Sequence, residues 1–284
     1  MKATFYGTRG STPVSEKNFV QFGGNTSCVM LTMDSGHNFI FDAGTGIRKL
    51  DADLTRLSNV QPLGLPELNI PALDVVIVLS HTHWDHIQGF PFFKPAYDPQ
   101  KNILLTICGK DRDCNDLENI FTAQMQSDFF PVPLYKMGAK INFWQPDINQ
   151  YTGPMGITSD FLKHNHPGGA YSYRFTEGDK SFVYCTDIEH GDEIDQSLVE
   201  FSRDADLLIH DAQYTPDELK QKKGWGHSSW EQAVEVAEQA GVKKLALFHH
   251  DPEHDDSFLL EMEKECQKHF PNAFFAREGS VVEL

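Results

Sequence analysis

The chain has little that would make it a disulfide scaffold, a membrane protein or a nucleic-acid reader. Its five cysteines, Cys28, Cys108, Cys114, Cys185 and Cys266, form no paired framework and no Cys-x-x-Cys step. That excludes a thiolate zinc finger and fits a reducing compartment, where small buried thiols suffice. No apolar run approaches membrane-spanning length. The opening Met1 to Gly7 is already strand-like, with no signal-peptide apolar region, so a cytoplasmic protein with no membrane partner is expected. Positive charge is scarce: 24 Lys and Arg stand against 41 Asp and Glu, a formal net charge of −17. Such a field repels a long polyanion except where metals or local basic groups offset it, so a small substrate is expected rather than a long nucleic acid. No repeat, low-complexity tract or linker interrupts the 284 residues, which fit one domain, 1–284, with an apolar insertion at about 90–154.

What the chain does have is concentrated. His81-Thr82-His83-Trp84-Asp85-His86 packs four metal-ligand side chains into six residues, directly after the apolar run Leu73 to Ser80. Imidazole and carboxylate hold zinc or a similar divalent ion. In extended backbone, residues two apart project to the same side, so His81 and His83 can grip one ion together. If the chain turns at Trp84, Asp85 and His86 serve a second ion about 3.5–4 Å away. A polar loop of solvated histidines is the blander reading, and the density of ligand types speaks against it.

Short β segments, Ala3 to Tyr6, Cys28 to Met33 and Asn38 to Phe41, dominate the first third. Leu117, Ile120, Phe121 and Met125 keep helical spacing. A helix from about Ser229 to Ala240 follows a capping box of Ser228 and Glu231 and stops at Gly241. The pattern itself predicts a mixed α/β protein.

The His-x-His-x-Asp-His run resembles the signature of metallo-β-lactamase-fold hydrolases, of the ribonuclease Z-like and cyclic nucleotide phosphodiesterase branch. The resemblance implies a four-layer αββα sandwich with two mixed β-sheets, and further ligands at strand ends. His166 precedes the strand Tyr171 to Phe175, Asp187 follows Phe182 to Thr186, and His249 ends Leu245 to Phe248. The implied assignment is His81, His83 and His166 on one metal, Asp85, His86 and His249 on the other, and Asp187 bridging. Zinc is the default for such a pair, and manganese or iron also fits the mixed ligands. Neighbouring strand residues face opposite ways, so only one of His249 and His250 reaches the ions, and family register favours His249. His164 and His250 then read as outer hydrogen-bond donors or surface groups, while His190, His210, His227 and His254 fall at the same predicted edge.

Ile209-His210-Asp211-Ala212 and Gly226-His227-Ser228-Ser229 look like the acid and histidine of the proton shuttle in ribonuclease Z-like enzymes, with Asp211 where ribonuclease Z uses Glu. The resemblance implies hydrolysis of a phosphodiester by metal-bound hydroxide, with Asp85 among the catalytic groups and His227, oriented by Asp211, protonating the leaving alkoxide. Gly7 to Pro13, Phe22 to Cys28 and Phe248 to Pro252 look like a bacterial or phage branch related to cyclic nucleotide phosphodiesterases, which makes a cyclic nucleotide or related cyclic phosphate the expected substrate. Asn25, Thr26 and Ser27, in a glycine-rich turn, are candidate substrate donors, although such residues commonly occupy turns for conformational reasons. Phe129 to Leu134 is apolar where ribonuclease Z carries a basic arm. It reads as core, as a homodimer contact, or as a lid. A thioester or lactone hydrolase on the same dinuclear site, a ribonuclease Z-like RNA endonuclease and a non-catalytic scaffold are the competing readings.

Overall fold

Apolar runs punctuated by Gly, Asn and Asp turns become strands, and longer runs of helical period become helices. The computed structural model describes residues 1–50, 54, 63–65, 70–108, 117–146, 150–152 and 156–284. Its strands, in chain order, are β1 (Lys2–Gly7), β2 (Cys28–Thr32), β3 (Asn38–Phe41), β4 (Leu63–Leu65), β5 (Ile70–Leu73), β6 (Val75–Val78), β7 (Asn102–Thr106), β8 (Lys140–Trp144), β9 (Gln150–Thr152), β10 (Thr158–His164), β11 (Ala170–Glu177), β12 (Lys180–Cys185), β13 (Leu207–Asp211), β14 (Leu245–Phe248), β15 (Ala273–Phe275) and β16 (Val281–Glu283). The α-helices are α1 (Trp84–Ile87), α2 (Leu117–Gln124), α3 (Gln196–Phe201), α4 (Pro216–Gln221), α5 (Trp230–Ala240) and α6 (Asp256–His269).

Two seven-stranded sheets result, in the orders β16-β1-β2-β3-β6-β7-β8 and β15-β14-β13-β12-β11-β10-β9, with β4 and β5 paired apart from them. Each is mixed. In the first, β3, β6, β7 and β8 run parallel and the rest antiparallel. In the second, β12 to β15 run parallel and β9 to β12 antiparallel. Parallel strands covered on both faces need continuous apolar runs rather than alternation, and β6, β13 and β14 are buried along their whole length.

The sheets meet through aromatic side chains. The Phe41 ring lies 5.3, 5.2 and 5.1 Å from those of Phe175, Phe182 and Tyr184. Phe5 meets Phe248 at 6.2 Å. Removing such a ring, as in Phe41→Ala, costs about 3–5 kcal/mol in lost burial and cavity. A second apolar cluster joins α3, α5 and α6 to the outer face of the second sheet, through Leu198, Val234, Ala237 and Leu259 against Val183, Leu208 and Leu247. The α2 helix packs beside β8, with Phe121 5.9 Å from Phe143. The expected sandwich of helix, sheet, sheet and helix is therefore present. Of the aromatic stretch 90–154, the described residues contribute β7, α2, β8 and β9 to the two sheets and their cover. Its residues 109–116, Cys114 included, and 147–149 and 153–154 lie outside the described ones.

One local expectation shifts by a residue. The α5 capping box is Ser229 with Gln232, not Ser228 with Glu231. Ser228 is already committed: its N–H donates to Asp211 and its hydroxyl to the Ile188 carbonyl. Gly241 stops the helix in the left-handed conformation, as read.

Candidate metal centre

Strand direction gathers the polar side chains. β1, β3, β6, β10, β12, β13 and β14 all end at one edge of the sandwich, and the turn after each brings polar groups there, as open α/β sheets do at the carboxyl ends of their strands. After β6 the chain stays extended through His83 (φ −62°, ψ 157°) and then turns into α1 at Trp84. Asp42, Asp187 and His249, each closing a strand, adopt φ of 61°, 57° and 63°. Left-handed backbone at non-glycine residues costs about 1–3 kcal/mol apiece and persists where surrounding contacts impose it.

All seven expected ligands converge. Asp187 divides its carboxylate between two groups. Oδ1 lies 3.7 Å from both His81 Nε2 and His166 Nε2. Oδ2 lies 3.2 Å from His86 Nε2 and 3.3 Å from His249 Nε2. On the first side, His166 Nε2 and His83 Nδ1 are 3.0 Å apart. On the second, His86 Nε2 and His249 Nε2 are 3.2 Å apart, with Asp85 Oδ2 at 3.3 and 3.1 Å from them. The donor atoms of His81, His83 and His166, and those of Asp85, His86 and His249, lie within 4.8 Å of one another.

This set fits divalent cations. His81 Nε2 is buried with no hydrogen-bond partner among the described residues. Ring nitrogens face each other at 3.0–3.2 Å, where a shared cation removes the clash of lone pairs. Nitrogen and carboxylate oxygen are the donors that zinc, manganese or iron accept. Burial and neighbouring imidazoles hold His81 well below its ordinary pKa and His83 down at about 4, so both rings are unprotonated and ready to ligate. Burial pushes Asp85 and Asp187 the other way, but the adjacent histidines outweigh it and keep both well below the usual carboxylate range.

A ring of outer contacts orients the ligands. Asp42, fully buried, accepts from His86 Nδ1 at 2.8 Å, Ser80 N at 2.7 Å and the Tyr184 hydroxyl at 2.7 Å. His249 Nδ1 meets Gln213 Oε1 at 3.1 Å, and His166 Nδ1 meets the Gly226 carbonyl at 2.8 Å. Asp85 Oδ2 accepts from Ser11 N at 2.8 Å. Sequence reading missed Asp42, Gln213 and Ser11. Asp42 carried one legible signal, an acid closing an apolar strand as Asp187 does.

The other histidines take different places. His164 accepts from Ser172 Oγ at 2.9 Å and directs Nε2 at the Thr186 and Asp187 carbonyls, both at 3.1 Å, bracing the Asp187 turn. His250 is buried against Phe275 and directs Nε2 at the Ala276 carbonyl, so strand alternation keeps it out of the donor cluster. His254 pairs with Glu218. His190 and His210 stack on each other, their Nε2 atoms 3.2 Å apart.

Asp211 and His227 are joined at 2.9 Å through Oδ2 and Nδ1. Asp211 also accepts the amides of Asp187, Gln213 and Ser228 at 3.1, 3.2 and 2.9 Å. The His227 ring stacks 5.0 Å from that of His249, and its Nδ1 is 3.9 Å from Asp187 Oδ1. Burial disfavours the charged ring, yet the Asp211 carboxylate outweighs it and lifts His227 to about 9.

The residues expected to touch substrate are used within the loops. Asn25 donates to Glu278 at 2.9 Å and lines a side cavity of about 570 Å³ with Thr45, Arg48 and Phe92. Thr26, fully buried, exchanges two 2.9 Å hydrogen bonds with Thr45. Ser27 is also fully buried.

Fold and site together define a metallo-hydrolase of the β-lactamase superfamily. The chain belongs to that family: residues 37–250 match its "Beta-lactamase superfamily domain". It is 33% identical over 187 residues to the probable metallo-hydrolase YhfI of Bacillus subtilis, spanning 63% of this chain and 68% of that one. The YhfI crystal structure superimposes with a TM-score of 0.67 at 25% identity, covering 100% of this chain and 98% of that one. A ribonuclease Z of Prochlorococcus marinus is 24% identical over 345 aligned positions, covering 100% of both chains. A diphosphatase of the PhnP family shares the fold, with a TM-score of 0.67 at 18% identity, covering 100% of this chain and 97% of that one. Among the described residues no helix is long and apolar enough to cross a membrane.

Proposed function

We propose that the protein is a metal-dependent phosphodiesterase that hydrolyses a small phosphodiester, with cyclic nucleotides and related cyclic phosphates as the substrate class. The observation that carries this reading is the Asp211–His227 pair, hydrogen-bonded at 2.9 Å directly beside the ligand cluster. An alkoxide expelled from phosphorus is a poor leaving group and needs a proton, whereas a thiolate expelled from a thioester does not. A histidine fixed by a carboxylate supplies that proton, a step worth roughly 10²–10⁴-fold in rate.

His81, His83 and His166 would hold one divalent ion and Asp85, His86 and His249 the other, with Asp187 serving both. Such a pair supplies charge neutralisation at the phosphoryl oxygens and activates water near neutral pH. The chain's own residues do the remainder. Asp42, Gln213 and the Gly226 carbonyl fix which nitrogen of His86, His249 and His166 faces the ions, and Asp211 turns Nε2 of His227 outward toward the leaving oxygen. The charge of −17 and the apolar stretch Phe129 to Leu134 favour a small substrate over transfer RNA.

Metal analysis combined with a substrate panel tests this. Two ions per chain are expected, with turnover of phenyl phosphodiesters or cyclic mononucleotides that chelation abolishes and added metal restores. Cleavage of acyl thioesters with all phosphodiesters untouched would transfer the site to the thioesterase reading.

A further inference from the structure

Trp225 stands 58% exposed on the loop whose next residue, Gly226, receives His166. That loop is tied down. The amides of Gly224 and Gly226 donate to the two carboxylate oxygens of Glu189 at 2.7 and 2.8 Å, and Trp225 N donates to the Lys222 carbonyl at 3.1 Å. An indole fixed in water beside a hydrolytic centre keeps apolar area wet, which a flat ligand would cover.

A cation accompanies it. Lys222 Nζ lies 4.2 Å from the Trp225 ring centroid and 5.7 Å from that of Tyr214, and the Tyr214 ring lies 5.8 Å from the ring of His227. Lys220 pairs with Asp217 and Lys223 with Asp192. Among the described residues no carboxylate pairs with Lys222. In a chain of net charge −17, an ammonium left without a carboxylate one ring away from His227 is suited to an anion.

A second tryptophan shares the rim. Trp84, also 58% exposed, follows His83. His83 Nδ1 is 3.0 Å from His166 Nε2, and His166 Nδ1 is 2.8 Å from the Gly226 carbonyl. Trp84, at the start of α1, and Trp225, on the loop after α4, thus each adjoin a residue, His83 or Gly226, that contacts His166.

We propose that Trp225 and Trp84 are the aromatic walls of a substrate subsite and that Lys222 meets the phosphate charge, so that the site selects phosphodiesters whose retained, non-leaving group carries a planar ring, either a nucleobase or an aryl group. This rests on the phosphodiesterase reading above and adds the substrate's ring to it.

The test uses metal-loaded protein and three esters with one leaving group: thymidine 5′-(4-nitrophenyl) phosphate, phenyl 4-nitrophenyl phosphate and methyl 4-nitrophenyl phosphate. Base stacking on an aromatic side chain supports an expected fall of about tenfold or more in the ratio of kcat/KM for a ring-bearing ester to that for the methyl ester, in Trp225→Ala and in Trp84→Ala, with Trp225→Phe restoring most of it. Lys222→Met should raise KM for all three esters. A fall for the thymidine ester alone marks a nucleobase site, and a fall for both ring-bearing esters marks a site for any ring. Ratios unchanged in both alanine variants, with metal content intact, overturn the subsite. Should wild type cleave none of the three and no cyclic mononucleotide, the phosphodiesterase reading fails, and the subsite is then judged by binding. Thymidine 5′-monophosphate should quench tryptophan fluorescence in wild type and less in Trp225→Ala, and no quenching in wild type overturns it.

Discussion

His86 and Asp42 are joined by a 2.8 Å hydrogen bond between Nδ1 and Oδ2, both side chains fully buried and 44 positions apart in the chain. The bond decides which face of the imidazole is bare. With a proton held on Nδ1 by a carboxylate, Nε2 is the nitrogen that faces Asp85, Asp187 and His249, where an ion would sit.

Asp42→Asn should therefore weaken the centre from outside. An amide can turn an N–H toward His86 Nδ1, which drives the ring proton to Nε2, where an ion belongs. Metal affinity is expected to fall about 10–100-fold, measured by competition with a chromogenic chelator. Unchanged affinity would show that Asp42 only packs.

His227→Ala should keep the metals and lose the chemistry. Two ions per chain are expected with turnover of an alkyl phosphodiester reduced roughly 10²–10⁴-fold. An ester whose leaving group needs no proton should suffer much less. Asp211 makes a poorer probe, because it also accepts the Asp187 amide at 3.1 Å and its loss would move Asp187 as well.

Gly226→Ala should damage the first ligand group. Gly226 has φ +89°, and an added Cβ would stand 2.3 Å from His166 Nδ1. The backbone strain alone costs about 1–2 kcal/mol, and the clash displaces His166. A lower melting temperature and reduced metal content are expected together. A variant of wild-type stability and full metal content would contradict the contact.

Acid should erode stability through His190. Burial and the adjacent His210 hold His190 down at about 3, whereas in the unfolded chain it titrates near 6.5. Between those values the unfolded state binds the extra proton, so stability falls as pH falls from about 6.5 toward 3, by up to about 1.4 kcal/mol per pH unit. Urea midpoints of metal-loaded protein at pH 7, 6 and 5 should show a shallower slope in His190→Gln than in wild type. Equal slopes would remove His190 from the acid response.

The ligand set was legible because local spacing carries it. His81, His83, Asp85 and His86 occupy one strand end and one turn, Asp187 and His249 each close an apolar segment, and His166 precedes one. Ser11, Asp42 and Gln213 were not legible, since what makes them matter is a partner 74, 44 or 36 positions away. Asn25, Thr26 and Ser27 show the converse. A turn rich in hydrogen-bonding groups looks like a binding loop, yet Thr26 and Ser27 are buried inside the loop packing. The capping box slipped from Ser228 to Ser229 for the same reason: Asp211 had claimed Ser228 from 17 positions away.

Arg9 is fully buried and donates through Nε to the Gly23 carbonyl and through Nη1 to the carbonyls of Asp251 and His254, the last 245 positions along the chain. Its neighbour Gly10 lies against the His249 ring, where even a Cβ would approach Nδ1 to 2.4 Å. During synthesis the amino-terminal loop must wait, unsatisfied, until the stretch bearing His249 leaves the ribosome. The donor group of Asp85, His86 and His249 is thus complete only after the stretch bearing His249 has been synthesised, whatever the order in which its other members are made.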